Sequence, residues 1–258
     1  MAGQRAQRAR PAAPRSQHFL RSSALAAELV ASAGVVRDDL VVELGAGTGR
    51  LTAALAGAAR RVIAVELDPR LARGLRHRWT NVDVVDDDAA RFELPREPFS
   101  VVANVPFHRT ADLLHHLLDD PRTPLERADL IVEWAVAHKV AVPYPSSVKG
   151  VLWGAWYEAS ISRRLPRAAF VPQPSVDAGV LVLRRRPVPL VSPERASAFH
   201  RFVAAGFRHG VRSVVSAREL ERIGSVAVTA RELDAHQWSA LFLRRSRPEV
   251  SKRRGSLR

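Results

Sequence analysis

Chemistry in this chain should concentrate where glycine, carboxylate and amide side chains interrupt apolar runs. In Val41-Val42-Glu43-Leu44-Gly45-Ala46-Gly47-Thr48-Gly49-Arg50-Leu51 a buried-strand pattern breaks into three alternate glycines and resumes with helical spacing, the helix starting near Thr48. Gly45, Gly47 and Gly49 have no Cβ to hold a ligand off the backbone or to forbid positive φ, so the loop can lie flat against a cofactor. Twenty-one residues past Gly45, Glu66 ends a second apolar run, Arg61-Val62-Ile63-Ala64-Val65-Glu66, about where a nucleotide-binding α/β unit keeps its ribose carboxylate. The pair points to an adenosine-containing cofactor. A dinucleotide is disfavoured, because Arg50 stands where the third small residue of G-x-G-x-x-G belongs, and no Gly-Lys pair follows the loop to cradle phosphates. An acidic residue ahead of G-x-G-x-G suits S-adenosylmethionine instead, which brings no phosphate and carries a positive sulfonium.

Two further stretches carry acceptors. Asp86-Asp87-Asp88 follows an apolar run, and any of the three could accept from an adenine amino group or simply form a solvated loop. Asn104-Val105-Pro106-Phe107 is the reactive candidate. The exocyclic amine of adenine is a poor nucleophile, its lone pair being spread into the ring, so a methylating enzyme must hold that nitrogen pyramidal. The Asn104 side-chain oxygen and a backbone carbonyl beside Pro106 can accept the two N–H bonds, leaving the lone pair aimed at a methyl donor. Pro106 stiffens the turn and Phe107 offers a flat face for an extruded base. Such catalysis is mainly positioning. A loop Asn beside a buried Phe is common, and it is the place of this one after a strand that singles it out.

The elements that must position these residues alternate. A helix is expected over Ser22 to Ala33, and strands over Leu40–Leu44, Val62–Glu66, Val82–Val85 and Phe99–Ala103. A helix follows Asp68-Pro69, another carries Leu113, Leu114, Leu117 and Leu118, and a fifth strand begins at Leu130–Val132. Pro143 to Gly150 reads as an exposed loop, with closing strands at Glu158–Leu165 and Val180–Leu183 around the turn-rich Phe170 to Ser175. This alternation implies an α/β fold with a mostly parallel sheet covered on both faces, which binds ligands outside the carboxyl ends of its strands. Past Arg184-Arg185-Arg186-Pro187 the pattern turns helical, with stripes of Phe199, Phe202, Val203, Phe207 and of Leu233, Trp238, Leu241, Phe242. The expected domains are a basic arm at 1–15, a cofactor-binding catalytic domain at 16–186 and a helical domain with a basic tail at 187–258.

Charge sharpens the partner. Forty Lys+Arg against 26 Asp+Glu give a net charge of +14, a surplus that favours a polyanion. Arg5, Arg8, Arg10 and Arg15 fall in a leader without acids, and Arg244, Arg245, Arg247, Lys252, Arg253, Arg254 and Arg258 crowd the other end, so both termini read as phosphate-binding arms. With no cysteine, disulfides and thiolate metal sites are excluded. His115-His116 point to different faces of a helix, so no metal is expected. No apolar run reaches membrane-spanning length and no apolar segment follows the charged leader, which fits a cytoplasmic protein.

Gln17-His18-Phe19-Leu20, Glu43 to Gly49, Glu66, Asp88, Asn104 to Phe107 and Phe170-Val171-Pro172-Gln173-Pro174-Ser175-Val176 occur in the order found in the rRNA adenine N6-methyltransferases, and over about residues 16–184 the chain resembles that superfamily. It contains the Erm enzymes of macrolide resistance and the small-subunit rRNA dimethyladenosine transferases. The resemblance implies a class I, Rossmann-like methyltransferase with a mostly parallel seven-stranded sheet and a small α-helical C-terminal domain that helps hold rRNA. It further implies that Gln17, His18 and Leu20 form a lip over S-adenosylmethionine, Gly45 and Gly47 face its methionine part, Glu66 takes the ribose, Asp88 takes the adenine, and Leu67 and Ala89 also bind the cofactor. His18 stands where Asn is commoner, so its contact falls to backbone atoms. Asn104 would accept from the target amine beside the cofactor, and Phe107 replaces a commoner Tyr as the stacking face. Phe170 is similar to a second aromatic near the target base, and reads equally as a core residue before a Pro-rich turn.

Ile131 to Val140 and Gln237 to Phe242 are similar to Erm patterns, so that branch is favoured. The expected function is methyl transfer to N6 of one adenine, in a hairpin-loop context of large-subunit (23S) rRNA, by a monomer, conferring macrolide, lincosamide and streptogramin resistance. The alternatives are dimethylation of small-subunit (16S) rRNA in ribosome biogenesis, and a nucleic-acid-binding protein that kept the fold without the chemistry.

Overall fold

The structure is a computed structural model that describes residues 17–227 and 229–245. The arm expected at 1–15 and the tail cations from Arg247 onward lie outside the described residues. The elements in chain order are β1 (Phe19–Leu20), α1 (Ser23–Ser32), β2 (Leu40–Leu44), α2 (Arg50–Ala58), β3 (Arg61–Glu66), α3 (Pro69–Leu75), β4 (Val82–Asp86), β5 (Phe99–Asn104), α4 (Thr110–Leu118), β6 (Leu125–Glu133), α5 (Trp134–Ala141), α6 (Val148–Trp156), β7 (Tyr157–Leu165), β8 (Phe170–Val171), β9 (Ala178–Arg185), α7 (Ala196–His209), α8 (Ala217–Glu221) and α9 (Ala235–Arg245).

Seven strands form one sheet in the order β4-β3-β2-β5-β6-β9-β7. The β4-β3, β3-β2, β2-β5 and β5-β6 pairs are parallel, as the alternation of apolar runs and helices implies. The order turns back between β2 and β5, which pair through Val41↔Ser100 and Val42↔Val101. Chain leaving these two neighbours must diverge to opposite sides, and the crevice that opens there is where sheets of this kind bind ligands. The glycine loop leaves β2 and the Asn104 turn leaves β5, so topology brings together residues about sixty apart in sequence.

Several boundaries differ from the sequence reading for local reasons. Helix α2 begins at Arg50 rather than near Thr48, because Gly49 caps it in the left-handed region (φ 83°). Strand β6 starts at Leu125, five residues before its apolar run. Arg127 donates to both oxygens of Asp129 at 2.5 and 2.8 Å, and this pairing lets Asp129 stay in a strand while 4% exposed. The loop expected to reach Gly150 stops at Ser147, whose hydroxyl accepts from Gly150 N and caps α6.

The described chain falls into two compact units: residues through Leu118 with Thr123–His138 and Ile161–Leu183, and Asp119–Arg122 with Lys139–Ser160 and the chain from Arg184 onward. In the first, α1, α2 and the strands close a core around Leu29, Val41, Leu55, Val102, Ile131 and Phe170. The second gathers α6 with the C-terminal helices around Phe199, Trp238 and Phe242, where the Phe199 and Phe242 rings lie 5.2 Å apart. Gly206 of α7 lies against the Trp238 ring, with no room for a Cβ. No helix among the described residues is long and apolar enough to cross a membrane.

Candidate active site

A cavity of about 770 Å³ opens in the first unit, and its wall is drawn from strand ends: Gly45 and Gly47 after β2, Glu66 to Pro69 at the end of β3, Asp88 to Ala90 after β4, and Asn104 to Pro106 at the end of β5, with Gln17 to Phe19 across them. The size suits one nucleoside-sized ligand with space to spare.

The glycine loop is held down by the protein's own hydrogen bonds. Gly45 N and Ala46 N donate to Val65 O at 2.8 and 3.1 Å. Gly45 and Gly47 take φ of 82° and 58°, conformations that side chains with a Cβ resist. A Cβ on Gly47 would stand 2.8 Å from the Phe19 ring, and one on Gly45 would fill the space toward Pro106 and the Asn104 carbonyl. The cradle therefore exists because these positions are bare.

Glu66 anchors the other side. Its carboxylate is 4% exposed and accepts from Gly47 N at 2.7 Å through Oε2 and from Asp68 N at 2.8 Å through Oε1. A carboxylate has about four acceptor sites, so roughly two remain for a pair of ligand hydroxyls. One residue thus shapes the loop and still presents acceptors to the cavity.

After β4, Asp88 turns into the cavity and Asp86 stays in the strand. Asp88 Oδ1 accepts from Ala90 N at 3.0 Å, and Arg109 Nη2 donates to both of its oxygens at 3.0 and 3.1 Å. Partial burial alone would raise the Asp88 carboxyl, but the Ala90 amide and the Arg109 guanidinium outweigh it and hold the group below the usual carboxylate range.

Asn104 ends β5. Its Nδ2 donates to the His18 carbonyl at 2.6 Å. A carbonyl can only accept, so the amide must turn its NH2 to His18 and its oxygen the other way. Pro106 (φ −57°, ψ 120°) begins the short 3-10 turn Phe107–Arg109, and its carbonyl accepts from Arg109 N at 2.8 Å. The carbonyl on the other side of the Val105–Pro106 bond is then the one left for a ligand.

Of the residues singled out in the sequence, Gln17, His18, Gly45, Gly47, Glu66, Leu67, Asp88, Ala89 and Asn104 line this one cavity. Leu20, Phe107 and Phe170 do not. Leu20 is 4% exposed and pairs with Phe170 in the small β1-β8 sheet, and Phe170 itself is fully buried, so packing claims both. Phe107 is half-buried against the same core, its ring centre 5.6 Å from His18 and 6.4 Å from Phe170. His18 joins three parts: its carbonyl holds Asn104, its ring faces Phe107, and Nδ1 lies 2.8 Å from the Pro172 carbonyl. The sequence motifs gave no role to Phe19, the wall behind Gly47, which sits inside the first motif, or to Arg109, two residues past Phe107; that placement was the available signal.

Residues 13–230 match the family described as Ribosomal RNA adenine dimethylase. The chain is 37% identical over 169 residues to an rRNA adenine N-6-methyltransferase of Corynebacterium diphtheriae, covering 65% of this chain and 66% of that one. It is 35% identical over 217 residues to the mycinamicin-resistance protein MyrB of Micromonospora griseorubida, covering 78% of this chain and 68% of that one. To the ribosomal RNA small subunit methyltransferase A of Enterococcus faecalis it is 32% identical over 209 residues, covering 74% and 70%. Among solved structures it resembles the 23S rRNA methyltransferase ErmE, with a TM-score of 0.75 and 28% identity over 88% of this chain and 98% of that one.

Proposed function

The chain belongs to the ribosomal RNA adenine dimethylase family, whose chemistry is methylation of rRNA adenine, and on that footing we propose that it uses S-adenosylmethionine to methylate N6 of one adenine in 23S rRNA, conferring resistance to macrolides, lincosamides and streptogramins. The orientation of the Asn104 amide carries this reading. Its NH2 is committed to the His18 carbonyl, which leaves Oδ1, on a residue that lines the cavity, as the acceptor a target amine requires.

The residues present fit S-adenosylmethionine: bare glycines cradle it, Glu66 has acceptor capacity for its ribose hydroxyls, and Asp88 has capacity for its adenine amine. Bound there, that cofactor supplies an electrophilic methyl on a positive sulfonium. The chain's own contribution is geometric. Asn104 Oδ1 and the Val105 carbonyl each accept one N–H of the target amine, which pulls the nitrogen out of conjugation and frees its lone pair. Pro106 keeps that carbonyl in place, and Phe107 supplies an aromatic surface beside it. The methylated nitrogen is acidic enough to release its proton to water, so no strong base is needed, and positioning accounts for the catalysis.

The same reading takes the substrate adenine to lie in a hairpin-loop context, the helical domain at 187–258 and the basic ends to hold the RNA, and the protein to act as a cytoplasmic monomer without a metal. The 23S substrate is supported by the likeness to ErmE, and the resistance role by the likeness to MyrB. Mapping N6-methylated adenines in rRNA from cells with and without the protein tests it. A new methylated adenine in 23S rRNA with raised macrolide tolerance is expected. Methylation confined to 16S rRNA would assign the chain to ribosome assembly, and no methylation would reduce it to RNA binding.

A further inference from the structure

We infer that Arg109 is the positioning residue of the adenine subsite, setting the selectivity for a 6-amino purine and tying that subsite to the turn that shapes the target amine. The inference rests on the reading of Asp88 as the acceptor for the cofactor's adenine amine.

Arg109 Nη2 bridges both Asp88 oxygens at 3.0 and 3.1 Å, in a pair whose side chains are 30% and 25% exposed. Its Nε lies 3.1 Å from Asp112 Oδ2 on α4, without the angle of a hydrogen bond, and is buried with no other partner. One guanidinium thus faces carboxylates from two elements: the loop after β4, which carries the adenine acceptor, and the helix that follows Asn104-Val105-Pro106-Phe107.

Counting lone pairs gives the consequence. A carboxylate offers about four acceptor sites. Ala90 N takes one on Oδ1, and Arg109 takes one on each oxygen. The capacity left, on Oδ2, matches a single N–H donor such as the 6-amino group of adenine. A 6-oxo purine brings an acceptor to that position and meets a carboxylate held ionised by Arg109, an acceptor facing an acceptor. With Arg109 removed, Asp88 loses the contact that holds both of its oxygens and is free to rotate, which admits the oxo group. Arg109 N also donates to Pro106 O at 2.8 Å, so the backbone that carries the guanidinium is part of the target-amine turn itself.

The test measures binding by calorimetry with the full chain, using S-adenosylhomocysteine and S-inosylhomocysteine, which differ by amine against oxo at position 6 and by an acceptor against an N–H at N1. The wild type should prefer the adenosyl ligand by about tenfold or more, the worth of one charge-assisted hydrogen bond. Arg109→Met should shrink that preference to within about threefold, and Arg109→Lys, which keeps the charge, should recover part of it. A merely structural role would weaken both ligands alike and leave the ratio standing. If Arg109→Met keeps the preference while Asp88→Ala loses it, the inference about Arg109 is overturned and the adenine reading stands. If Asp88→Ala keeps it too, both are overturned. Should Arg109→Met fail to fold, Arg109→Gln decides in its place, because an undiminished preference without the cation contradicts the inference.

Discussion

Glu43→Gln should stabilise the protein at alkaline pH and leave it nearly unchanged at pH 5. Glu43 lies in β2 directly under the glycine loop, 1% exposed, and its Oε2 has no hydrogen-bond partner. Burial is the main reason its carboxyl is pushed from 4.5 up to about 8, the negative charge of Glu66 adds to it, and Thr52 pulls the other way. The folded protein therefore carries a proton there that the unfolded chain has lost above pH 4.5. Stability from this group is fully present below pH 4.5 and drains away as pH rises to about 8. At about 1.4 kcal/mol per pH unit across that window, the ceiling is roughly 5 kcal/mol. Relaxation around a buried charge will lower it, so roughly 3 kcal/mol, or on the order of 10 °C in Tm, is the expected size. Gln has the shape of the protonated acid and cannot ionise. Thermal unfolding of both proteins at pH 5 and pH 8.5 should give curves that coincide to within about 1 kcal/mol at the lower pH and separate at the higher, with the Gln variant ahead. The depressed carboxyls of Asp88 and Asp177 act in a different window, losing their contribution as pH falls through the acid range, and do not blur the comparison. Parallel pH profiles, or a Gln variant that is weaker at pH 8.5, would refute the argument.

Three other outcomes follow from the site. Asn104→Ala should abolish methyl transfer to rRNA while cofactor affinity, measured by calorimetry, stays within about threefold, because the side chain's remaining bond is to the His18 carbonyl; retained activity would remove the proposed role of the amide. Glu66→Gln should weaken cofactor binding by tenfold or more and lower Tm, since Gly47 N and Asp68 N donate to different carboxylate oxygens and Gln puts an NH2 in place of one of them, stranding a backbone amide at roughly 1–3 kcal/mol; unchanged affinity would show that the loop is not held this way. Deleting residues 1–15, which carry Arg5, Arg8, Arg10 and Arg15, should flatten the salt dependence of RNA binding by a log–log slope of roughly two to four, and an unchanged slope would make the arm a bystander.

Much of the fold was legible in the sequence because its signals are local. Apolar runs of five or six residues ending in glycine or an acid mark parallel strands, Asp68-Pro69 marks a helix start that the structure caps through Asp68 Oδ1, and the chain turns helical past 186. Misjudged boundaries fall where a partner outside the window alters a residue's cost. Arg127 makes Asp129 tolerable inside β6, and the helical reach of Val148 to Gly150 depends on Ser147 as a cap. Leu20 reads as a site residue from its motif and Phe170 as either a site aromatic or a core residue, and the antiparallel pairing of β1 with β8 places both in the core.

The sequence by itself determined which chemical groups this protein owns: bare glycines after one strand, a carboxylate after the next two, an amide after the fourth, and an excess of positive charge. Only the tertiary structure decided what those groups are free to do. The return of the chain at β2 and β5 brings the glycine loop beside Asn104, the His18 carbonyl turns the Asn104 amide, and Arg109 claims both oxygens of Asp88. Hydrogen-bond capacity is a property of a residue, but how much of it remains for a ligand depends on which neighbours have already used it, and those neighbours are assembled by folding.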